Sequence, residues 1–182
     1  MFRTVTTLLM GATLVAGTAT AGQAGRTNLD VFNDVSASVN RYAQFTIFDD
    51  VTASVDNGVV ILNGSVTMPY KKNDIEKRVA QIDGVRRVDD RIEVLPTSLR
   101  DDEIRVRVAR AIYGHPIFWR NGARANPSIH VIVNQGHLTL TGVVGTELDR
   151  TVARAMAGQF GVFSIVNNLK TEAEVQSDLE KL

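Results

Sequence analysis

The chain has 182 residues, of which 44% are hydrophobic and 22% are charged, a composition typical of folded globular domains. Its 20 basic residues balance 20 acidic ones, and this neutral total argues against a dedicated nucleic-acid-binding protein. Because the sequence contains no cysteine, we expect neither disulfides nor the lipid-modified cysteine that tethers some exported proteins to a membrane.

The first 21 residues have the pattern of a secretory signal peptide. Arg3 supplies the positive start, Val5 to Val15 is mostly apolar or small, and Ala19 to Ala21 offers an A-x-A cleavage site. No charged residue follows Arg3 until Arg26. The apolar run is shorter than the roughly 18 residues that a membrane span requires. We therefore expect residues 1–21 to be removed on export and the mature chain to work in the periplasm.

Residues 28–96 carry the pattern of one small α-β-β-α-β domain. Valine recurs at every fourth position from Val31 to Val39, which predicts an amphipathic helix. Two apolar strands then flank Asn57-Gly58, the preferred pair for a two-residue hairpin turn with positive φ at both positions. Helical spacing returns from Ile75 to Ile82, and a last short strand follows it.

The same pattern recurs in residues 97–170. The hairpin Val55–Gly64 aligns with Val133–Gly142 at a spacing of 78, and the last helix end and strand align at a spacing of 77. The sequence therefore predicts an α+β fold of two tandem α-β-β-α-β domains. Each domain is expected to be a small three-stranded mixed sheet packed on two helices, with its own core.

The two repeats differ in the loop before the hairpin. Their first helices are 73 residues apart, so about five extra residues are expected in the second repeat, between Arg120 and Ser128. Pro96 separates the two repeats, and Ser98 with Asp101 is predicted to cap the next helix. Residues 171–182 are predicted to form a short acidic C-terminal helix.

These residues resemble the BON domain family, named for bacterial osmotically inducible and nodulation proteins. The likeness covers about residues 28–170 and rests on the element order, a turn glycine followed by an apolar strand ending in glycine, and a terminal Gly-Val-x-x-Val pattern. The turn and strand-end positions are Asn57, Gly58, Gly64, Gly84, Gly136, Gly142 and Gly161. The resemblance implies a helix-backed mixed sheet, no catalytic residues, and association with phospholipid or cell-envelope surfaces.

The titratable residues do not suggest an enzyme or a metal site. His130 and His137 fall on outward positions of the second hairpin, and His115 lies in a predicted loop. Three acidic pairs lie at predicted element boundaries, where aspartate favours turns and helix starts. These pairs are Asp49-Asp50, Asp89-Asp90 and Asp101-Asp102. We predict no catalytic residues, no metal and no cofactor.

One segment departs from the neutral average. Between Ile104 and His130 there is no acidic residue, while arginines and aromatic residues alternate along it. Basic charge beside amphipathic rings suits an anionic membrane interface. The candidate lipid-binding residues are Trp119, Arg120, Arg124, Ile117 and Arg110. Phe118 aligns with Phe45 of the first repeat and is expected in the core, and the helical arginines have the alternative of a simple solvated face.

A second basic stretch, Tyr70-Lys71-Lys72, is diluted by nearby acids and is predicted to be a solvated helix face.

The leading functional prediction is a non-enzymatic periplasmic module that binds anionic phospholipid or envelope surfaces and supports the envelope under stress. The alternative is a periplasmic protein-binding adaptor or chaperone that uses exposed sheet edges and helix faces. A hydrolase is a distant third.

The signal-peptide pattern predicts a mature N-terminus near Gly22, because small residues at Ala19 and Ala21 fit the signal-peptidase site. Intact-mass measurement of the exported protein checks this position. Recovery of most of the protein from the cytoplasm with Met1 retained would contradict the prediction of export.

Overall fold

The computed structural model describes residues 26–122 and 127–179, so the predicted signal peptide and Arg124 lie outside the described residues. The first repeat, unit 1, contains α1 (Asn28–Asn40), β1 (Asp50–Asp56), β2 (Val59–Val66), α2 (Pro69–Ala80) and β3 (Arg87–Val94). The second, unit 2, contains α3 (Leu99–Tyr113), α4 (Trp119–Gly122), β4 (Ile129–Asn134), β5 (His137–Val144), α5 (Glu147–Ala157) and β6 (Ser164–Thr171). A final helix, α6, covers Glu172–Leu179.

Each unit has one three-stranded mixed sheet. The strand orders are β1-β2-β3 and β4-β5-β6, with an antiparallel first pair and a parallel second pair in both. The two parallel strands of each sheet are connected by a helix, α2 or α5, because the chain must cross back over the sheet to start the next parallel strand at the same end. The predicted fold class, with two tandem α-β-β-α-β domains, is therefore confirmed.

Each unit buries its own apolar cluster between its helices and one face of its sheet. In unit 1 the α1 stripe from Val31 to Val39 packs with Val60 and Leu62 of β2 and with Ile75 of α2. In unit 2, Ile104, Val108 and Ile112 of α3 pack on the hairpin in the same way. The apolar residues that recur at every fourth position of α1 and α3 are therefore the ones that face the core.

Both hairpin turns have the left-handed backbone that the sequence predicts. Asn57 and Gly58 have φ of 47° and 77°, and Gln135 and Gly136 have φ of 51° and 79°. Since both central residues have positive φ, each turn is of the type that matches the twist of its strands. The strand register follows from it, with Asp56 opposite Val59 in unit 1.

A side chain from the first turn of the preceding helix holds each hairpin turn. Asn28 of α1 accepts the Asn57 N–H at 3.0 Å. Asp101 of α3, which is buried, accepts the N–H groups of Gln135 and Gly136 at 2.8 and 2.9 Å. Asn28 and Asp101 are 73 residues apart, the spacing of the two helices. Ser98 accepts the Asp101 N–H as a helix cap, but the Asp101 carboxylate supports the turn instead of closing a capping box.

The loop between α1 and β1 of unit 1 docks on unit 2. The Ile47 carbonyl accepts the Val131 N–H at 2.7 Å, and Phe48 packs against the core of unit 2. The Nδ1 of His130 lies 2.6 Å from the Asp49 carbonyl oxygen, and because a carbonyl only accepts, the ring donates there. His130 is thus on the outward face of its strand, as expected, but it is half-buried by unit 1.

The C-terminal helix α6 folds back on unit 2. Arg150 of α5 donates to Glu174 at 3.0 Å and to the Leu169 carbonyl at 3.1 Å, so it joins α5, β6 and α6. Lys170 pairs with Asp178 at 2.9 Å. These bonds attach α6 to the unit that precedes it.

A glycine lies within the second strand of each hairpin. Gly64 and Gly142 have φ of 128° and 110°, which side-chain-bearing residues rarely adopt. A Cβ at Gly64 would lie 2.1 Å from the Asp50 carbonyl oxygen, and one at Gly142 would lie 1.9 Å from that of Ser128. The start of each hairpin therefore passes too close to the second strand for any side chain.

We predict that Gly64→Ala and Gly142→Ala each lower the free energy of unfolding by about 3 kcal/mol or more, because the methyl group would strain φ and displace backbone. The urea-unfolding midpoint measures the effect. Gly158→Ala is the matched control, since Gly158 has φ of −70° and the nearest atom to its added Cβ is 3.6 Å away. It should change stability by less than about 0.5 kcal/mol. Equal midpoints for all three variants would contradict the close approach.

Candidate functional site

The segment after α3 places exposed apolar side chains on both sides of a buried one. Phe118 is 1% exposed and belongs to the core of unit 2, as expected, whereas Ile117 is 43% and Trp119 59% exposed. Two backbone hydrogen bonds fix the segment, from the Phe118 N–H to His115 at 2.9 Å and from the Gly122 N–H to Phe118 at 3.0 Å. Phe118 therefore anchors a surface from which its two neighbours project.

Two arginines of the predicted lipid site lie on this part of unit 2. Arg110 is in the last turn of α3, and the Arg120 guanidinium lies 5.8 Å from the centre of the Trp119 ring. Both are exposed, and neither forms an ion pair within residues 26–122 and 127–179. We call Arg110, Ile117, Trp119 and Arg120 the Trp119 surface. Its charge is free to meet an external anion, which Arg binds bidentately.

A second exposed pair of ring and arginine lies elsewhere on unit 2, and sequence analysis missed it. Phe163 is 65% exposed, and the Arg100 guanidinium lies 4.7 Å from its ring centre. Phe163 comes from the loop before β6 and its ring also contacts His137, at 5.8 Å between centroids. The two residues are 63 positions apart in the chain, so no local pattern points to the pair.

Two helical basic residues are buried, although a solvated helix face was the prediction for Lys71 and the alternative for the arginines of α3. Arg105 of α3 is 3% exposed, donates to the Val133 carbonyl at 2.5 Å and pairs with Asp102. Lys71 of α2 is 4% exposed, so the prediction of a plain solvated helix was wrong at this position. The partner of Lys71 is distant in sequence, whereas Arg105 is satisfied by Asp102 on its own helix together with the distant Val133 carbonyl. The pattern along one helix does not reveal either of the distant partners.

The partner of Lys71 is Asp49, a fully buried carboxylate with five hydrogen bonds. Lys71 Nζ donates at 2.6 Å, and the N–H and hydroxyl groups of Thr46 and Thr67 donate at 2.8 to 2.9 Å. Burial raises the pKa of Asp49, but the hydrogen bonds from Lys71, Thr67 and Thr46 outweigh it, so the pKa lies below the ordinary carboxyl value. This pair ties the α1–β1 loop to α2.

The other acidic pairs also make structural bonds. Asp101 holds the second hairpin turn, and Asp102 pairs with Arg105. Asp89 pairs with Arg91 at 2.6 Å. Asp90 accepts the Ile92 N–H at 2.8 Å. Asp101 and Asp102 lie in the first turn of α3, as the sequence predicted. Asp89 and Asp90 lie inside β3, so the prediction of an element boundary was wrong for that pair.

Asp50 is the exception, because it lies beside His130 at the contact between the units. Burial raises the pKa of Asp50, and the nearby His130 opposes this rise.

In the part of the chain that the structure describes, no group of three His, Asp or Glu side chains could hold a metal ion. Within that same part, no helix is both long and apolar enough to cross a membrane.

A family model described as BON domain matches residues 34–96 and 100–173 of this chain. The two matches fall on unit 1 and unit 2. The chain belongs to the BON domain family. Membership agrees with the resemblance seen in the sequence and with the duplicated fold.

Other comparisons give less. A search of curated proteins finds no match. Among solved structures, the chain is similar to the C-terminal domain of CdsD, a structural protein of the type III secretion system of Chlamydia trachomatis. Identity is 17%, the TM-score is 0.33, and the match covers 86% of this chain and 71% of that one. A second CdsD structure from that organism matches at 17% identity and TM-score 0.27, covering 81% and 97%. At these scores neither likeness bears on function.

We predict that Lys71→Met lowers the free energy of unfolding by about 3 kcal/mol, because it leaves the Asp49 carboxylate buried without its charged partner. Arg107→Met is the matched control. Arg107 pairs with Glu103 on the exposed side of α3, where loss of the pair should cost less than about 1 kcal/mol. Thermal unfolding of the three proteins measures the difference.

The same pair predicts a pH dependence. Because the folded-state pKa of Asp49 is depressed, its stabilisation is present above the unfolded-state value and is lost as the pH falls through the folded value. Melting temperature should therefore fall more steeply below about pH 4 in the wild type than in the double variant Asp49→Asn, Lys71→Met. Parallel curves for the two proteins would contradict this role of Asp49.

Proposed function

We propose that this chain is a non-enzymatic envelope module that binds anionic phospholipid surfaces through the Trp119 surface and supports envelope integrity under stress. The observation that carries the proposal is the exposure of Ile117 and Trp119 on both sides of the buried Phe118, beside arginines that have no ion-pair partner in the described residues. A tryptophan exposed at the protein surface suits the headgroup level of a bilayer.

Membership of the BON domain family supports a non-enzymatic module in the envelope, and the signal-peptide pattern supports a periplasmic location. The structural bonds of the acidic pairs also favour binding over catalysis, because a carboxylate held by a buried lysine or a turn is not available as a general acid or base. The anionic phospholipid is the proposed partner, and the association is peripheral.

The electrostatic part of the binding has an expected size. Near an anionic membrane each basic residue contributes about 1 kcal/mol, and the contribution falls off within a Debye length. The binding should therefore weaken at high salt and vanish on neutral vesicles. A protein partner bound through apolar contacts would show the opposite, namely little dependence on salt.

We predict that Trp119→Ala removes an interfacial anchor and that Arg120→Glu replaces attraction to lipid phosphate with repulsion, each weakening vesicle binding by about tenfold or more. Both side chains are exposed, so the melting temperature should stay within about 2 °C of the wild type. Flotation with vesicles of graded anionic-lipid content gives the binding, and thermal melting is measured on the same samples.

The second ring and arginine pair supplies the matched control. Phe163→Ala and Arg100→Glu change the same kinds of residue at another place on unit 2. They should leave vesicle binding within about twofold of the wild type. Equal losses at both places would indicate a general effect of net charge, and unchanged binding in all four variants would reject the Trp119 surface.

A further inference from the structure

Within residues 26–122 and 127–179, the outer edge of the sheet in unit 1 has no hydrogen-bond partner. In a two-residue hairpin the two residues that flank the turn bond to each other. Along each strand the next residue therefore points its N–H and C=O away from the hairpin, and the two orientations alternate from there. With Asp56 opposite Val59, these outward residues of β1 are Val51, Ala53 and Val55. We call their outward N–H and C=O groups the β1 edge.

The equivalent groups of unit 2 are the outward N–H and C=O groups of β4, and at least one group of each of Ile129, Val131 and Val133 has a partner. The Tyr113 hydroxyl bonds to both the N–H and the C=O of Ile129, at 3.0 and 2.5 Å. The Ile47 carbonyl of unit 1 accepts the Val131 N–H at 2.7 Å, and Arg105 donates to the Val133 carbonyl at 2.5 Å. Three devices thus protect this edge, as natural proteins usually arrange.

The corresponding positions of unit 1 hold different residues. At the helix spacing of 73, Phe32 stands in the place of Arg105 and Asn40 in that of Tyr113. Among residues 26–122 and 127–179, no hydrogen bond reaches the outward groups of Val51, Ala53 or Val55.

The burial of the side chains agrees with this difference between the two edges. Ile129, Val131 and Val133 are completely buried, whereas Val51, Ala53 and Val55 are only partly buried against their core. An apolar row beside unbonded backbone groups is what an added strand would cover.

We propose that the β1 edge binds an extended segment of a partner protein, which adds to the sheet of unit 1 as a fourth strand and carries a basic residue near Asp56. Main-chain hydrogen bonds would supply the affinity, and alternate apolar side chains would complete the core row. The edge lies in unit 1 and the Trp119 surface in unit 2, so this inference does not rest on lipid binding.

Charge favours a different protein over a second copy of this chain. Antiparallel pairing of two β1 strands over their whole length, which is the register centred on Ala53, would place Asp50 opposite Asp56 twice, and like charges directly opposite destabilise a sheet. A register shifted toward Asp50 needs Ile47 and Asp49, whose carbonyls are already bonded to unit 2. Asp56 is exposed, and within the described residues its carboxylate accepts only from Asn57 Nδ2, at 2.9 Å, so a cation beside it would meet an uncompensated charge.

The test is amide hydrogen exchange on the full mature chain in the presence of a synthetic peptide. The peptide has seven residues, with lysine at each end and alternating valine and threonine between them. The peptide should slow exchange of the Val51, Ala53 and Val55 amides by about tenfold or more at saturation. A peptide with glutamate at both ends should bind about tenfold more weakly. No slowing at these amides with about 1 mM lysine peptide would overturn the proposal.

The variant Ala53→Pro removes one outward N–H and leaves the ladder bonds to β2 in place, since proline is tolerated at the free side of an edge strand. It should abolish peptide binding, while Ala53→Ser, which keeps the N–H, should bind like the wild type. Native binding by a folded Ala53→Pro protein would overturn the proposal. A concentration-dependent dimer that Ala53→Pro disrupts would also overturn it, because the occupant would then be a second copy.

Discussion

The left-handed two-residue turn of each hairpin is the constraint from which most of the structure follows. Positive φ at Asn57-Gly58 and at Gln135-Gly136 fixes which residues pair across the strands. The pairing decides which side chains face the helices and which backbone groups face outward. A slip of one residue would turn every core valine to the solvent. The helix residues Asn28 and Asp101 accept the turn N–H groups and so hold this register from outside the hairpin.

The two repeats have the same turn but differ in the residues around it. Both have the same sheet order and the same core stripe, but Arg105 and Tyr113 bond to the edge of β4. Within residues 26–122 and 127–179, no hydrogen bond reaches the outward groups of Val51, Ala53 and Val55 in β1. The side chains of Arg105 and Tyr113 are on the flank of the helix next to the edge strand. Substitutions there change which backbone groups of the edge strand are bonded, while the core positions of the helix stay the same.

The sequence predicts the features of this fold that depend on local spacing. The period of four in α1 and α3 and the turn at Asn57-Gly58 are each contained in a window of a few residues, and the structure confirms them. The offset of 78 comes from comparing two such windows, and the two hairpins confirm it. The exposure of Trp119 and the burial of Phe118 also follow from comparison of the two repeats. The aligned position of Phe118 holds Phe45, whereas that of Trp119 holds threonine.

The features that the sequence did not predict depend on partners far along the chain. Lys71 looks solvated within α2, because its partner Asp49 lies 22 positions away in a loop. Arg105 likewise needs the Val133 carbonyl of β4, 28 positions away. Burial of a charge is favourable only where the fold brings such a partner to it, so a pattern along one helix underestimates how often it happens.

The loop between the first helix and the hairpin has a different role in each repeat. In unit 1 the loop is short, and Ile47 and Phe48 dock on β4 and the core of unit 2. In unit 2 the loop is longer and contains α4. Its Phe118 packs in the core of unit 2, while Ile117 and Trp119 project outward. The insertion therefore turns a segment that joins two units in one repeat into an external surface in the other. Since the core side of the loop is retained in both, the change of role required no change of fold.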